Sequence, residues 1–211
     1  MIGELPRGDG EPGPALARGP GRVAVGSEGD LPDRDEALDF EQEVRLAGGR
    51  RLRLRPIRTD DAQALVDMGL RSTPEDLRLR FFTPVRPMVG ALTSLLTEFD
   101  RDRHIAVAAY DPEAVDGEGG ILGVVRLILA PDRPDGEFAI MVRSDQAGHG
   151  LGHCLMRWML GRARDRGLTR VHAEIMRENK KMLRLARAYG AVAQPQTKDF
   201  HTVQVAIDLR P

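Results

Sequence analysis

The sequence predicts a mixed α/β fold, and three observations support this class. Short apolar segments with strand-like alternation recur between residues 51 and 209. Three of them follow one another through turn-rich connections, as in an antiparallel meander. A glycine-rich turn and a long amphipathic segment then separate two further strands, as in a parallel βαβ unit. We therefore expect a central mixed sheet that is mostly antiparallel.

The N-terminal part of the chain differs in composition from the rest. Residues 1–43 are rich in Gly and Pro and hold eleven acidic against four basic residues. Such a segment buries too little apolar surface to offset its ordering entropy. We expect residues 1–43 to be a disordered acidic tail and residues 44–211 to form one folded domain, with twenty-seven basic and twenty-one acidic residues.

The domain is expected to open with a strand and three helices. Arg51–Ile57 alternates like a strand. Thr59–Asp61 supplies capping residues for a helix that runs to about Leu70. Thr73–Asp76 starts a second helix, with Pro at its first position and acidic residues in its first turn. Residues 90–99 are predicted to form a third helix, whose apolar residues are Leu92, Leu95, Leu96 and Phe99.

The meander consists of the segments Ile105–Tyr110, Ile121–Ala130 and Glu137–Val142. The connections Asp111–Gly120 and Pro131–Gly136 are rich in turn-forming residues. Short connections of this kind join antiparallel neighbours.

The remaining elements alternate between helix and strand. Leu151–Arg166 is predicted to be a helix that ends at Gly167, followed by the strand Val171–Met176. Asn179–Tyr189 is a further helix, and Phe200–Leu209 alternates as a final strand. The first of these helices has apolar residues at four-residue spacing: Leu151, Leu155, Met159 and Ala163.

The glycine-rich turn Gly148-His-Gly-Leu-Gly152 is the most informative motif of the chain. It precedes a helix, where backbone N–H groups have no intrahelical partner and the helix dipole adds positive charge. Such a turn is a site for phosphate or pyrophosphate. Glu137 opens the strand that leads into the turn. A phosphate site beside a possible general base indicates an enzyme with a phosphorylated cofactor.

Two other nucleotide-binding motifs fit the chain less well. The P-loop pattern is absent. A dinucleotide-binding turn needs Gly-x-Gly-x-x-Gly directly after the strand, but Leu155 occupies the third glycine position and five residues separate Val142 from Gly148. Glu174 does match the ribose-binding acid of that fold, which therefore remains the alternative enzyme class.

The order of these elements, together with the glycine turn, resembles the GNAT superfamily of N-acetyltransferases over roughly residues 50–210. Five motifs resemble more closely the acetyltransferase domain of bacterial Pat-type protein lysine acetyltransferases. They are Arg55-Pro-Ile-Arg58, Arg80-Phe-Phe82, Val142-Arg-Ser-Asp145, Gly148-His-Gly-Leu-Gly152 and Arg177-Glu-Asn-Lys-Lys-Met182.

This resemblance implies direct transfer of the acetyl group from acetyl-CoA to a primary amine. The expected acceptor is a protein lysine, typically on a metabolic enzyme. A small-molecule amine and a non-catalytic acyl-CoA sensor are the alternatives. The fold implied is the GNAT fold, in which the parallel strands at 137–142 and 171–176 splay apart and admit the pantetheine arm.

The resemblance also assigns roles to individual residues. Glu137 is implied to be the catalytic base, with Glu174 in reserve. The backbone of Met141 and Val142 is implied to contact the pantetheine, and Asn179 to contact CoA. The residues implied to bind the pyrophosphate are Gly148, His149, Gly150, Leu151, Gly152 and His153.

The chain departs from the family pattern at two positions. Ala147 occupies the first position of the pyrophosphate loop, where the family has Gln or Arg, and Gln146 lies one residue early. Ala186 occupies the position where many GNAT enzymes carry a tyrosine acid, and Tyr189 lies three residues later. The general acid is therefore unidentified.

Other polar and apolar candidates have simpler explanations. His149 and His153 lack a third ligand, so no metal is expected. Cys154, Trp158 and Met159 are expected to pack inside the helix face. Two residues, His104 and Glu98, are expected near the acceptor cleft. The balanced charge gives no indication of nucleic acid, and without a signal peptide or a bilayer-spanning apolar run we expect a cytoplasmic protein without membrane contact.

Overall fold

The structure is a computed structural model that describes residues 40–82, 103–113, 120–194 and 200–210. Within these ranges the strands are β1 (Gln42–Arg45), β2 (Arg51–Pro56), β3 (His104–Tyr110), β4 (Ile121–Leu129), β5 (Asp135–Val142), β6 (Arg170–Met176), β7 (Val192–Ala193) and β8 (Thr202–Asp208). The α-helices described are α1 (Ala62–Leu70), α2 (Pro74–Phe81), α3 (Leu151–Asp165) and α4 (Lys180–Ala188). Apart from β1 and β7, which the sequence did not predict, the described elements follow the predicted order.

The described strands form one sheet in the order β1-β2-β3-β4-β5-β6-β8-β7. Neighbouring strands are antiparallel except β5 and β6, which are parallel. The β3-β4-β5 meander and the β5-α3-β6 crossover are therefore confirmed. The sheet is mixed and mostly antiparallel, as the sequence predicts.

The parallel pair separates shortly after it starts. Residues 135–137 of β5 pair with residues 170–172 of β6, although β5 continues to Val142 and β6 to Met176. The predicted splay of the two parallel strands is thus confirmed. A gap opens between them toward their C-terminal ends.

The helices cover the two faces of the sheet. On one face α3 buries its predicted apolar positions in the larger core cluster. On the other face α1 buries Leu65 and Met68 against Ala106, Ala108 and Val124. Burial of Cys154, Trp158 and Met159 in or against the larger cluster confirms their packing role. The α3 residues that lie in or against the larger cluster are Leu151, Cys154, Leu155, Trp158, Met159 and Ala163.

Strand β1 begins before the predicted start of the domain at residue 44. Its residues Gln42–Arg45 pair antiparallel with β2, mainly through the backbone. Three of its four side chains are polar and exposed, so the strand has no apolar alternation that a sequence pattern would reveal. Residues 1–39 lie outside the described residues, as does the helix expected at residues 90–99.

The sequence predicts Thr59–Asp61 as capping residues of α1, but the Asp61 side chain does not cap this helix. Its buried carboxylate instead accepts two hydrogen bonds from the Arg55 guanidinium, at 2.7 and 2.8 Å, and one from Tyr110 Oη at 2.9 Å. Although burial opposes ionisation, these bonds and that of the Arg58 N–H hold the pKa of Asp61 below its usual value. The Arg55-Pro-Ile-Arg58 motif therefore joins β2, α1 and β3.

Gly136 lies inside β5 and not in the turn that the sequence predicts. A Cβ at this position would lie 2.7 Å from Leu127 Cδ1 and 2.9 Å from Leu168 Cδ1. The adjacent Asp135 accepts a hydrogen bond from Arg170 at 2.7 Å. The strand starts two residues earlier than its apolar pattern suggests, and residue 136 inside it is a glycine because Leu127 and Leu168 leave no room for a Cβ.

The contact made by Phe40 indicates how far the chain can be shortened from its N-terminus. Its ring stacks on Trp158 of α3, with centroids 5.5 Å apart. We expect a chain that begins at residue 39 to keep the melting temperature and turnover of the full chain. A chain that begins at residue 41 loses the aromatic pair, worth about 1 kcal/mol, and should melt roughly 2–4 °C lower. Calorimetry of both chains tests this, and equal melting temperatures would contradict it.

Candidate active site

A cleft of about 630 Å³ occupies the gap between β5 and β6. Its wall is formed by β5 from Glu137 to Val142, the glycine turn, β6 and α4, with α2 closing one side. Both carboxylates of the sequence prediction, Glu137 and Glu174, lie on this wall. The splay thus brings the predicted phosphate site and the predicted base into one cavity.

The glycine turn exposes backbone donors at the start of α3. Gly148 and Gly150 have φ of +84° and +87°, a conformation that glycine adopts without strain. The first hydrogen bond of the helix joins the N–H of Cys154 to the carbonyl of Gly150. The N–H groups of the three residues between them therefore have no acceptor in the helix. These three donors lie where the motif predicts an anion site.

The Val142-Arg-Ser-Asp145 motif fastens this turn to the rest of the domain. The buried Arg143 guanidinium donates to both carboxylate oxygens of Asp145, at 2.7 and 3.0 Å. Ser144 Oγ donates to Asp76 at 2.5 Å and accepts from the Thr73 N–H at 2.8 Å. The segment before the glycine turn is therefore held to the first turn of α2.

Most of the residues implied to bind the cofactor lie on the cleft wall. Two do not: the Leu151 side chain is buried in the core, and His149 is exposed outside the wall. For Leu151 the implied contact runs through its N–H and does not depend on the side chain. The predicted residues on the wall are Met141, Val142, Gly148, Gly150, Gly152, His153 and Asn179.

Hydrogen bonds at both ends of β5 show which of its residues face β4. The Arg143 N–H donates to the Leu122 carbonyl, and the Ala130 N–H donates to the Asp135 carbonyl, both at 2.9 Å. Because the register between the two strands is continuous, the odd-numbered residues of β5 direct their backbone groups to β4. The even-numbered residues direct theirs to the gap.

This alternation separates the two implied pantetheine contacts. Met141 directs its N–H to β4, whereas Val142 directs its N–H to the gap. Ile140 shares the orientation of Val142. The backbone groups of Ile140 and Val142 are therefore the ones that β5 offers to a ligand in the gap, and Met141 offers its side chain.

Asn179 and Gln146 each use part of their amide group within the protein. Asn179 Oδ1 caps α4 by accepting from the Met182 N–H at 3.0 Å, which leaves its amide NH₂ available in the cleft that it lines. Gln146 Oε1 accepts from Arg50 at 2.6 Å. Ala147, which replaces the Gln or Arg of the family pattern, lies exposed on the cleft wall and adds no polar side-chain contact.

Glu137 and Glu174 differ in the hydrogen bonds that their carboxylates accept. On β6 the side chains of Val171, Ala173 and Ile175 are buried toward α3, so Glu174 alternates to the opposite face, as the sequence predicts. It accepts a hydrogen bond from Thr202 Oγ1 at 2.6 Å. Glu137 lies exposed on the cleft wall, and within the described ranges no side chain donates a hydrogen bond to its carboxylate. Glu137 is therefore the carboxylate available to a substrate.

Two arginines near Glu137 were not identified as site residues from the sequence. Arg80 of α2 lies on the cleft wall, and Arg126 of β4 is buried beside His104, whose Nδ1 is 2.9 Å from Arg126 Nη2. Burial lowers the pKa of Arg80 to about 10, with a further decrease from Arg126 and an opposing increase from Glu137. The only sequence signal was the Arg80-Phe-Phe82 motif, which gives no direction for the side chain. Glu98 lies outside the described residues.

Tyr189 lies outside the cleft wall. Its hydroxyl donates to the His153 carbonyl at 3.0 Å and lies 3.3 Å from His153 Nδ1. Ala186, at the position of the tyrosine acid in many family members, is buried in the core. Tyr189 therefore links the end of α4 to the first turn of α3.

The described residues contain neither a metal-binding cluster nor a bilayer-spanning helix. Within the described ranges, no three His, Cys, Asp or Glu side chains come together as a metal site would require. Of the helices in those ranges, none is long and apolar enough to cross a bilayer.

Comparisons with known proteins agree with this geometry. The family model of the acetyltransferase (GNAT) domain matches residues 51–192. An acetyltransferase of Pseudomonas aeruginosa is 28% identical over 154 residues, which cover 73% of this chain and 82% of that protein. The GNAT domain of S. lividans PAT is 26% identical, with a TM-score of 0.69 over 80% of this chain and 96% of that domain.

A third similarity concerns the fold alone. A cAMP-binding acyltransferase from Mycobacterium smegmatis is 22% identical, with a TM-score of 0.57. The match covers 83% of this chain but 49% of that protein.

Proposed function

Because the chain belongs to the GNAT acetyltransferase family and is thus an acetyl-CoA-dependent acyltransferase, we propose that its acceptor is a protein lysine side chain. The observation that carries this proposal is Glu137, an unengaged carboxylate on the wall of an open cleft. The 26% identity to the S. lividans PAT domain supports a protein acceptor. A metabolic enzyme is the expected partner.

We assign cofactor binding to backbone groups of the splayed region. The N–H groups of Leu151, Gly152 and His153 bind the pyrophosphate, since they lie at a helix N-terminus without internal acceptors. The pantetheine arm fills the gap, where Ile140 and Val142 direct their backbone groups. An N–H in this position also stabilises the oxyanion that develops on the thioester carbonyl.

Glu137 accepts the proton of the attacking amine in this mechanism. A lysine amine with a pKa of about 10.4 costs roughly 4–5 kcal/mol to deprotonate at neutral pH. A positioned base lowers this barrier and contributes ~10²–10⁴-fold to the rate. Cys154 is excluded as an acyl carrier, because its thiol is buried in the core and burial raises its pKa.

The Tyr189→Phe variant tests whether the leaving group needs this tyrosine as an acid. The CoA thiol, with a pKa near the 8.5 of free Cys, leaves as thiolate without a dedicated acid. We expect kcat to stay within about twofold and stability to fall by about 1 kcal/mol, because the bond to His153 is lost. Steady-state thiol release and thermal unfolding measure the two effects. A large loss of kcat in a stable Tyr189→Phe protein would contradict the assignment.

Acetyl-lysine profiling tests the proposed acceptor class. Proteomes of cells with the gene, without it, and with only the Glu137→Gln variant are compared. Lysines acetylated in the first strain alone are the expected result. The purified enzyme could instead release thiol with small amines and leave every protein lysine unchanged. This result would overturn the proposed protein acceptor but not the acyltransferase activity.

A further inference from the structure

Arg80 is a charged side chain in the cleft that the mechanism leaves unused. It lies near the end of α2 and lines the cleft together with Glu137. Its guanidinium carbon is 4.9 Å from the centroid of the Phe81 ring. Within the part of the chain that the structure describes, no oxygen accepts a hydrogen bond from it and no carboxylate lies within ion-pair distance.

This environment is costly for a cation. Arg80 is half-buried at the cleft wall, and partial removal of a guanidinium from water without a paired anion is unfavourable, which lowers its pKa. Arg126 adds a second positive charge nearby, while Glu137 attracts both arginines without forming an ion pair with Arg80. An anion bound beside Arg80 would remove this imbalance.

The position of Arg80 along β5 distinguishes this anion from the phosphates of CoA. They bind at the N-terminus of α3, which follows the C-terminal end of β5 after Val142. Arg80 interacts electrostatically with Glu137, five residues earlier on that strand. At the rise of a β-strand this separation is roughly 16 Å. This separation favours an anion that comes with the acceptor.

We propose that Arg80 forms a carboxylate-binding subsite, so that the enzyme selects amines that carry a carboxylate close to the reacting nitrogen. The inference rests on the proposed function, and for a protein acceptor it specifies lysines with an Asp or Glu neighbour along the chain. A guanidinium matches a carboxylate by paired hydrogen bonds. The free carboxylate of an amino acid offers the same chemistry from a different source.

Peptide acceptors test this subsite with the unmodified enzyme. A lysine peptide receives Glu, Gln or Lys at each position within two residues of the acceptor lysine. A parallel pair compares a free ω-amino acid with its amide. We expect kcat/KM to be about tenfold higher for the carboxylate member at one peptide position or more, as for a charged hydrogen bond. Equal rates within every pair would overturn the subsite.

Variants of Arg80 identify the source of the preference. Arg80→Gln should reduce the tenfold ratio to near one, and Arg80→Lys should retain part of it. The control is Arg78→Gln, which removes a charge from the same helix at a residue that pairs with Glu178 outside the cleft. It should leave the ratio unchanged, and thermal unfolding confirms that each variant folds.

The outcomes separate the subsite from the proposed acceptor. If peptides are acetylated without a charge preference, or if the preference survives Arg80→Gln, the subsite is overturned but the protein acceptor is not. If Arg80→Gln lowers kcat/KM equally for both members of a pair, Arg80 acts on the reacting atoms, and this result also overturns the subsite. Turnover of the amino acid but of no peptide overturns the protein acceptor, and the acid-to-amide ratio then decides the subsite.

Discussion

Replacing Glu137 by Gln is expected to lower kcat/KM by about 100-fold or more at neutral pH, the contribution of a positioned base. The substitution keeps the size of the side chain and removes its ability to accept a proton. Since no described side chain bonds to the Glu137 carboxylate, the change leaves the internal hydrogen bonds of the cleft intact. Acetyl-CoA affinity should therefore stay unchanged, and the protein should stay folded with slightly lower stability because Glu137 no longer attracts Arg80 and Arg126; calorimetry checks both.

The pH dependence of this loss distinguishes a base from a binding group. As pH rises toward the amine pKa of about 10.4, the acceptor deprotonates unaided and the defect should shrink. A pure binding defect would persist across the range. The matched control is Glu174→Gln, which changes the other carboxylate on the cleft wall, already bonded to Thr202. A silent Glu137→Gln beside a strongly impaired Glu174→Gln would transfer the role to Glu174.

Replacing Gly150 by Val should weaken acetyl-CoA binding by about 100-fold, the loss of two charge-assisted hydrogen bonds at the low end of their range. Gly150 has a φ of +87°, where a β-branched residue is strained, and it lies on the cleft wall directly before α3. A Val side chain there would displace the turn and obstruct the approach of a phosphate. Calorimetric titration with acetyl-CoA measures the effect.

Gly167 provides the control for backbone strain. Its φ of +73° is also left-handed, a Cβ there would meet nothing within 4 Å, and it lies at the other end of α3 outside the cleft. Gly167→Val should therefore lose stability to a similar degree but keep its affinity for acetyl-CoA. If both folded variants bind acetyl-CoA as the unmodified protein does, the glycine turn is not the pyrophosphate site.

The sequence was sufficient where the structure depends on local periodicity. The meander, α3 and the alternation that turns Glu174 away from the core all follow from apolar spacing within one element. Strands β1 and β7 were missed because they are short and mostly exposed, and are defined by backbone pairing with β2 and β8. Pairing at a sheet edge leaves little trace in the side chains.

The parts of the site that were missed depend on contacts distant in sequence. Asp61 has the composition of a helix cap, but Arg55 and Tyr110 compete for its carboxylate from two strands. Arg80 lies on a helix with little separation of polar and apolar residues, so its direction follows from how α2 packs over the cleft. No window of neighbouring residues contains that information.

The early end of the β5–β6 pairing has a thermodynamic consequence for the ligand-free enzyme. Beyond residues 137 and 172 two strands face each other across the gap without a ladder between them. In the proposed binding mode the pantetheine, itself an amide chain, lies there as a surrogate strand and joins the two halves of the sheet. Binding that favours the native state stabilises it, by about 2.7 kcal/mol at a hundredfold excess over Kd. The melting temperature and proteolytic lifetime of this protein should therefore report the concentration of CoA species around it.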